Sequence, residues 1–228
     1  MEREQARLDA LALVIAGGID LLAGVDAGLI LSKGTITSGG DLQSRLSWVS
    51  EHTARWQAGW AFWFTVTTTF AWSFYALARN LHGRPQWKRL AVGAALLAAA
   101  VDIVGIVVNL AVLPNIADGA AAARLGDPIT TYSGFESLAH ALTDVTAYGF
   151  YTLAGLLLIP GLFSTPGYPR ALAWLGVVLW GVSVPATALL AFGAPGAEAL
   201  FTVSLLLYPA WVWGGAWWLQ AAPAGRSR

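Results

Sequence analysis

Three ionisable side chains recur at intervals of four residues in the middle of the chain: Glu136, His140 and Asp144. On a helix this spacing places them on one face. A carboxylate one turn from an imidazole can orient it as a general base, and the same two groups can hold a divalent metal. We therefore predict His140 and Asp144 as candidate catalytic residues. The alternative is that Glu136 caps the helix while His140 and Asp144 only share a hydrogen bond.

A metal site would draw on a second histidine, His52, which follows Glu51. The candidate metal ligands are His52, His140 and Asp144 with one of Glu51 or Glu136, a set suited to zinc, manganese or non-haem iron. A haem held by His52 and His140 is another alternative. The chain has no cysteine, which excludes thiolate metal sites and cysteine-bound iron–sulfur clusters. No ligand motif names a cofactor, so its identity stays unknown.

Asp20, Asp26 and Asp102 lie, like Asp144, within long apolar stretches that hold no Lys or Arg at comparable depth. An ionisable side chain in hydrocarbon costs about 2.5–3.5 kcal/mol on insertion scales, so it persists where it faces protein, water or a ligand. At a rise of ~1.5 Å per residue, Asp20 and Asp102 lie near the same midplane depth. If they meet, they cannot both be ionised without a cation between them. The alternative is a protonated Asp that hydrogen-bonds a neighbouring helix.

The polar groups are concentrated toward one face of the membrane, which predicts an outward-opening pocket that ends at the midplane. Its candidate ligand-binding residues are Asp20, Asp26, Asp102, Asn109, Glu136, Trp60 and Trp63. Trp60 and Trp63 share one helical stripe with His52, so they can wall a cavity or simply pack between helices. Small residues at intervals of four around Asp20, including Gly24 and Gly28, predict a close approach of two helices there.

The elements that must position these groups are membrane-spanning helices. Of the 228 residues, 57% are hydrophobic and 11% are charged, and several apolar runs exceed the ~20 residues that cross a bilayer. We predict an all-α, polytopic transmembrane helix bundle, a single membrane domain over 1–228. Its six spans are about 8–31, 56–80, 89–112, 138–163, 171–191 and 197–219, with long outer loops at 32–55 and 114–137. Asp41 is expected to cap an interfacial helix in the first loop.

The charges of the connecting segments orient this bundle. With the N-terminus in the cytoplasm, nine Lys and Arg residues lie inside and four lie outside, as the positive-inside tendency requires. Six spans then place both termini in the cytoplasm. The first span is expected to be a retained signal-anchor helix, because its apolar run is too long for a cleaved signal peptide. Lipid bilayer is the expected partner, and the formal net charge of zero gives no reason to expect nucleic acid.

The segment 147–181 carries a Tyr-Gly pair, then a Pro-Arg pair, then Trp-x-Gly. The matching positions are Tyr148, Gly149, Pro169, Arg170, Trp174 and Gly176. In these residues the chain resembles uncharacterised bacterial six-span membrane families, of the kind classed as domains of unknown function. The resemblance implies a six-span fold and a bacterial cytoplasmic membrane, but no activity.

Three functional hypotheses follow from these residues. The first is a membrane protein that binds a small molecule, proton or cation in an outward-facing polar pocket. The second is an intramembrane enzyme that acts on a lipid or isoprenoid by carboxylate and histidine acid–base chemistry. The third is a non-catalytic accessory subunit of a membrane complex.

Overall fold

The computed structural model describes residues 2–36, 40–119 and 127–221 of the chain. All regular structure within these ranges is helical, which confirms the all-α prediction. The helices are α1 (Glu2–Leu29), α2 (Leu42–Glu51), α3 (Thr53–Asn80), α4 (Pro85–Val107), α5 (Leu113–Ala117), α6 (Pro128–His140), α7 (Tyr148–Ser164), α8 (Arg170–Ala191) and α9 (Ala197–Ala221). A 3₁₀ turn, Leu31–Lys33, follows α1.

Five helical segments in the described part of the chain are long and apolar enough to cross a bilayer. They are Glu4–Lys33, Pro85–Ala117, Pro128–Ser164, Arg170–Ala191 and Ala197–Ala221. The predicted span at 56–80 corresponds to α3, which has the same 28-residue length as α1 but is richer in Trp and Thr. The chain thus has the helices of a multi-pass membrane protein. Because α3 is not among these five, the span at 56–80 stays a prediction.

The six long helices pack in chain order around a ring. α1 packs on α3, α3 on α4, α4 on α7, α7 on α8 and α8 on α9, and α9 returns to pack on α1. The connections at 81–84, 165–169 and 192–196 are short, which favours antiparallel packing of α3 on α4, α7 on α8 and α8 on α9. The ring brings Asp20 on α1 and Asp102 on α4 to a common interior.

The predicted outer loops are shorter than the sequence indicates. The loop 32–55 contains α2, and the side chain of Asp41 accepts a hydrogen bond from the backbone N–H of Ser44 at 2.8 Å, so the predicted cap is confirmed. The hydrogen bonds that Asp41 accepts from the hydroxyl and from the backbone N–H of Ser44 lower its pKa. The loop 114–137 is wrong at both ends, because helix continues to Ala117 and resumes at Pro128. Pro114 does not stop the helix, since it lies in the first turn of α5, where a missing N–H is tolerated.

Two π-helical segments join shorter helices into long spans. Val108–Val112 links α4 to α5, and Ala141–Ala147 links α6 to α7. π-segments interrupt the regular backbone ladder and occur frequently at functional sites. They carry two of the predicted site residues, Asn109 and Asp144.

α1 and α9 touch at one end of their contact and separate at the other. A Cβ on Gly17 would lie 2.5 Å from the indole nitrogen of Trp213, so glycine is needed at this crossing. Trp213 also donates a hydrogen bond to the carbonyl of Val14 at 3.1 Å. At Gly24 and Gly28 a Cβ would meet nothing within 4 Å. The predicted close approach at these two glycines is therefore wrong, because both face the open space of the cavity.

An aromatic layer closes the interior of the ring near mid-height. The ring of Phe70 stacks on Tyr208 with centroids 3.9 Å apart and meets Tyr151 edge-on at 5.1 Å. The ring centroids of Phe74 and Trp180 lie 5.5 Å apart. These rings belong to a buried core that fills the bundle beyond the layer.

Candidate functional site

A cavity of about 720 Å³ occupies the ring on one side of the aromatic layer. It extends from Asp20 and Tyr208 near mid-height toward the end of the bundle that holds Ser32 and Glu198. Every long helix of the ring contributes to its wall. Its principal polar and aromatic lining residues are Asp20, Trp60, Trp63, Thr67, Phe70, Asp102, Thr143, Asp144, Tyr148, Tyr151, Trp180, Ser183, Glu198, Phe201, Ser204 and Tyr208.

Asp20 differs from the other carboxyl groups of this wall in its burial and its lack of a hydrogen-bond partner among the described residues. Its side chain is 2% exposed, and neither carboxyl oxygen has a hydrogen-bond partner among the described residues. The phenol of Tyr208 is close enough to interact electrostatically with it. Burying a carboxyl group without a partner is unfavourable, and more so when it is charged. Asp20 therefore leaves binding capacity open toward the cavity.

Asp102 lines the same cavity as Asp20, an arrangement that the matched depths of the two aspartates allow but do not by themselves predict. Unlike Asp20 it has a protein partner, because the hydroxyl of Thr67 donates to its Oδ2 at 2.5 Å. The backbone carbonyl of Thr67 in turn accepts a hydrogen bond from Tyr151 at 3.3 Å. Asp144 is near enough to interact electrostatically with Asp102. The two central carboxyl groups thus differ, with Asp102 anchored and Asp20 unpaired.

His140 and Asp144 form a pair on the wall of the cavity. Nδ1 of His140 lies 2.8 Å from Oδ2 of Asp144, so the predicted hydrogen bond is present. Asp144 lines the cavity, whereas His140 stands behind it. The geometry makes His140 a positioning group for Asp144. Their catalytic role stays a prediction.

Trp60 and Trp63 line the cavity, and their indole N–H groups have no partner among the described residues. The same holds for Trp180 on the opposite side of the ring. Three unpaired donors and the two unpaired oxygens of Asp20 make the wall able to bind both acceptors and donors of a ligand.

Asn109 is used inside the protein rather than on the cavity wall. Its backbone carbonyl accepts a hydrogen bond from the indole of Trp56 at 2.6 Å, and its amide donates to the carbonyl of Gly105 at 3.1 Å. The bond from Trp56 ties α3 to the π-segment Val108–Val112. This π-segment leaves a carbonyl free that a buried indole can reach.

Replacing Trp56 by Phe is expected to lower the free energy of unfolding by about 1–3 kcal/mol, because the buried carbonyl of Asn109 loses its donor. The measurement is unfolding of the purified protein in mixed micelles with increasing dodecyl sulfate. The matched control is Trp72→Phe on the same helix, since Trp72 is 45% exposed. Equal stability of Trp56→Phe and the control would contradict the structural role of the bond.

Asp26 is not part of the cavity wall. A Cβ on Gly59 would lie 3.0 Å from its Oδ2, so the carboxyl group faces α3. That oxygen is buried and has no partner among the described residues. The structure therefore separates Asp26 from Asp20 and Asp102, with which the sequence groups it.

Glu136 forms a buried ion pair with Arg45 instead of facing the cavity. Nε and Nη2 of Arg45 donate to the two carboxylate oxygens of Glu136 at 2.7 and 2.8 Å, and the side chains are 9% and 5% exposed. Arg45 also donates to the carbonyl of Gly40. The hydrogen bonds that Arg45 donates to Glu136 raise the pKa of Arg45. This clamp joins α2 to α6, and the 91 residues between its members hide it from spacing arguments.

His52 does not form a metal site with the other candidate ligands. Its ring stacks on Trp48 with centroids 4.9 Å apart, and its Nδ1 donates to the carbonyl of Trp48 at 3.1 Å. Within residues 2–36, 40–119 and 127–221 no three His, Asp or Glu side chains come together to share a metal ion. The predicted set of His52, His140 and Asp144 is therefore not assembled.

Three tyrosines of the wall were missed by the sequence analysis. Tyr148 shares a hydrogen bond of 2.6 Å with Ser204, Tyr208 shares one of 2.6 Å with Ser73, and Tyr151 bonds the backbone of α3. Tyrosines in apolar spans usually need a partner for the hydroxyl, which is the signal that could have identified them.

Comparisons of the chain with protein-family models, with curated proteins and with solved structures find no match. The resemblance in 147–181 to uncharacterised six-span families stays an expectation.

Proposed function

We propose that the chain is a multi-pass protein of the bacterial cytoplasmic membrane that binds a small molecule or cation in the ring cavity, reached from the extracytoplasmic face. Asp20 carries the proposal, because it is a buried carboxyl group on the wall of a cavity and has no hydrogen-bond partner in the described part of the chain. Such a group lowers the stability of the fold unless a ligand or proton completes it.

The shape of the cavity supports a binding chamber rather than a channel. The aromatic layer around Phe70 and Tyr208 closes one end, and the other end lies where α1 ends and α9 begins. With the N-terminus in the cytoplasm, this second end is extracytoplasmic. The distribution of Lys and Arg supports that orientation.

A second candidate function is acid–base catalysis on an apolar substrate. The hydrogen bond between His140 and Asp144 favours it, because an oriented carboxylate on a cavity wall can accept or donate a proton. Under this alternative Asp144→Asn abolishes turnover and leaves ligand affinity in place. An accessory role in a membrane complex is the third alternative, and a stoichiometric partner after purification would support it.

The absence of cysteine allows a direct test of access. Single cysteines at Gly28 and Arg84 are treated in intact cells with a membrane-impermeant maleimide. Gly28 lines the cavity with space for a side chain, and Arg84 is exposed between α3 and α4. We expect Gly28→Cys to react in intact cells and Arg84→Cys to react only after permeabilisation.

Gly18→Cys is the matched control, because Gly18 is on the same helix in open space but is not part of the cavity wall. It should stay unmodified, since a thiol facing lipid is not ionised. The reverse result, with Arg84→Cys labelled from outside and Gly28→Cys protected, would show that the cavity faces the cytoplasm. Protection of Gly28→Cys on both sides would show that the cavity is closed to water and contradict the proposed function.

A further inference from the structure

We infer that the cavity takes an amphiphilic organic cation, a protonated or quaternary amine with an apolar body, and that Asp20 is its counter-ion. This inference rests on the proposed function, because it names the class of ligand for the same cavity. Three independent properties of the wall carry it: its charge, its aromatic rings and its exposed apolar side chains.

The charge of the wall has one sign. Its lining includes Asp20, Asp102, Asp144 and Glu198, and the described lining residues include no Lys, Arg or His. Carboxylates around a cavity with low-dielectric walls concentrate cations and repel anions. Asp102 is held by Thr67, Asp144 is paired behind the wall, and Glu198 lies at the exposed end. Asp20 is the deep carboxyl group that remains for a cationic ligand.

The rings of the wall select the kind of cation. Trp60, Trp63, Tyr148, Tyr151 and Tyr208 all line the cavity. Aromatic faces attract alkylammonium groups, and such cages are the usual means of recognising quaternary amines. A bare divalent metal ion requires several oxygen ligands at short distances instead. With Asp20 as the buried carboxyl group that has no partner among the described residues, and with many rings around it, the wall suits an organic cation better than a metal ion.

The part of the wall formed by α1 and α9 includes exposed apolar side chains. Leu21 and Val25 on α1 and Leu206 on α9 line the cavity and are 45%, 53% and 63% exposed, respectively. In a bilayer these side chains face the lipid tails, so an apolar ligand body can lie along them. The volume of about 720 Å³ lies within the range of about 300–1,000 Å³ that is usual for small-molecule sites.

Two isosteric probes isolate the charge. Phenyltrimethylammonium and tert-butylbenzene have the same shape and differ by a cationic nitrogen in place of carbon. Isothermal titration calorimetry of the detergent-purified full chain, with protein-free micelles as the blank, gives both affinities. We expect the cation to bind about ten-fold or more tightly than the neutral probe, because only the cation gains the counter-ion and the ring faces.

Asp20→Asn should lose about ten-fold or more of the affinity for the cation and leave the neutral probe unaffected. Asp26→Asn is the matched control, because Asp26 lies on the same helix but is not part of the wall. The affinity of the Asp26→Asn variant for phenyltrimethylammonium should be unchanged. Gly24→Leu should abolish binding of both probes by filling the cavity, whereas Gly18→Leu adds the same side chain away from it and should bind normally. Thermal unfolding of each variant shows that it is folded.

Each outcome separates the inference from the proposed function. If the two probes bound with equal affinity and neither bound to Gly24→Leu, the inference of a cationic ligand would be wrong. The cavity would then be a site for neutral ligands. Full binding of the cation by folded Asp20→Asn would overturn the role of Asp20 as counter-ion. If neither probe bound and Gly28→Cys were labelled from outside, the inference of an organic cation as ligand would be wrong. The cavity would still be accessible from the extracytoplasmic face. Protection of Gly28→Cys concerns the proposed function alone.

Discussion

Arg45→Met is expected to lower the free energy of unfolding by about 3–5 kcal/mol, because it leaves the carboxylate of Glu136 buried without a partner. Glu136→Gln should also lower it, since the guanidinium of Arg45 then loses its charged acceptor. Replacing both residues by Met should recover much of the loss, because no buried charge remains. Unfolding in mixed micelles, followed by tryptophan fluorescence, measures all variants.

The matched control is Arg55→Met, because Arg55 is exposed at the start of α3. Its stability should stay within about 0.5 kcal/mol of the parent. The double-mutant cycle gives the coupling free energy of the pair directly. If Arg45→Met and Arg55→Met were equally stable, or if the two losses at Arg45 and Glu136 simply added, the clamp between α2 and α6 would not act as a buried ion pair.

Gly155→Ala is expected to destabilise the protein by about 1–3 kcal/mol and to alter the cavity. A Cβ at Gly155 would lie 2.1 Å from two atoms of the ring of Trp180, which is 2% exposed, so the ring must move to admit it. Trp180 also lines the cavity, so its displacement must change the wall. We therefore expect both a lower stability in mixed micelles and a weaker affinity for phenyltrimethylammonium.

Gly181→Ala is the matched control, because a Cβ there meets nothing within 4 Å and Gly181 follows Trp180 on the same helix. It should keep its affinity and gain about 0.5–1 kcal/mol from the removal of a helical glycine. A Gly155→Ala variant as stable as Gly181→Ala would show that Trp180 can move without loss. Full affinity in an otherwise destabilised Gly155→Ala variant would show that Trp180 does not shape the binding site.

Glycines in this bundle lie either against aromatic rings or beside open space. Where bulky rings meet glycines, as Trp213 does at Gly17 and Trp180 at Gly155, the helices close tightly. Where the glycines of α1 meet no ring, at Gly24 and Gly28, the interior stays open. Close backbone approach supplies packing between helices in lipid, so Gly17 and Gly155 mark tight contacts, whereas Gly24 and Gly28 line the cavity.

The helical class, the long apolar segments and the cap at Asp41 were all predictable from the sequence. Each depends on local information. The apolar segments follow from hydropathy over about 20 residues, and the cap follows from a side chain that accepts a hydrogen bond from the N–H three residues further along the chain. The placement of aspartates within apolar spans was predictable for the same reason. The hydrogen bond of His140 to Asp144 also follows from helical spacing alone.

Only the tertiary structure decided which of these groups share a site. It joins Asp20 to Asp102 in one cavity, turns Asp26 toward Gly59 and pairs Glu136 with Arg45. These outcomes depend on the rotation and separation of helices that are distant in sequence. Rotation and separation are set by the packing of side chains from two helices at once, which no spacing within one helix can report.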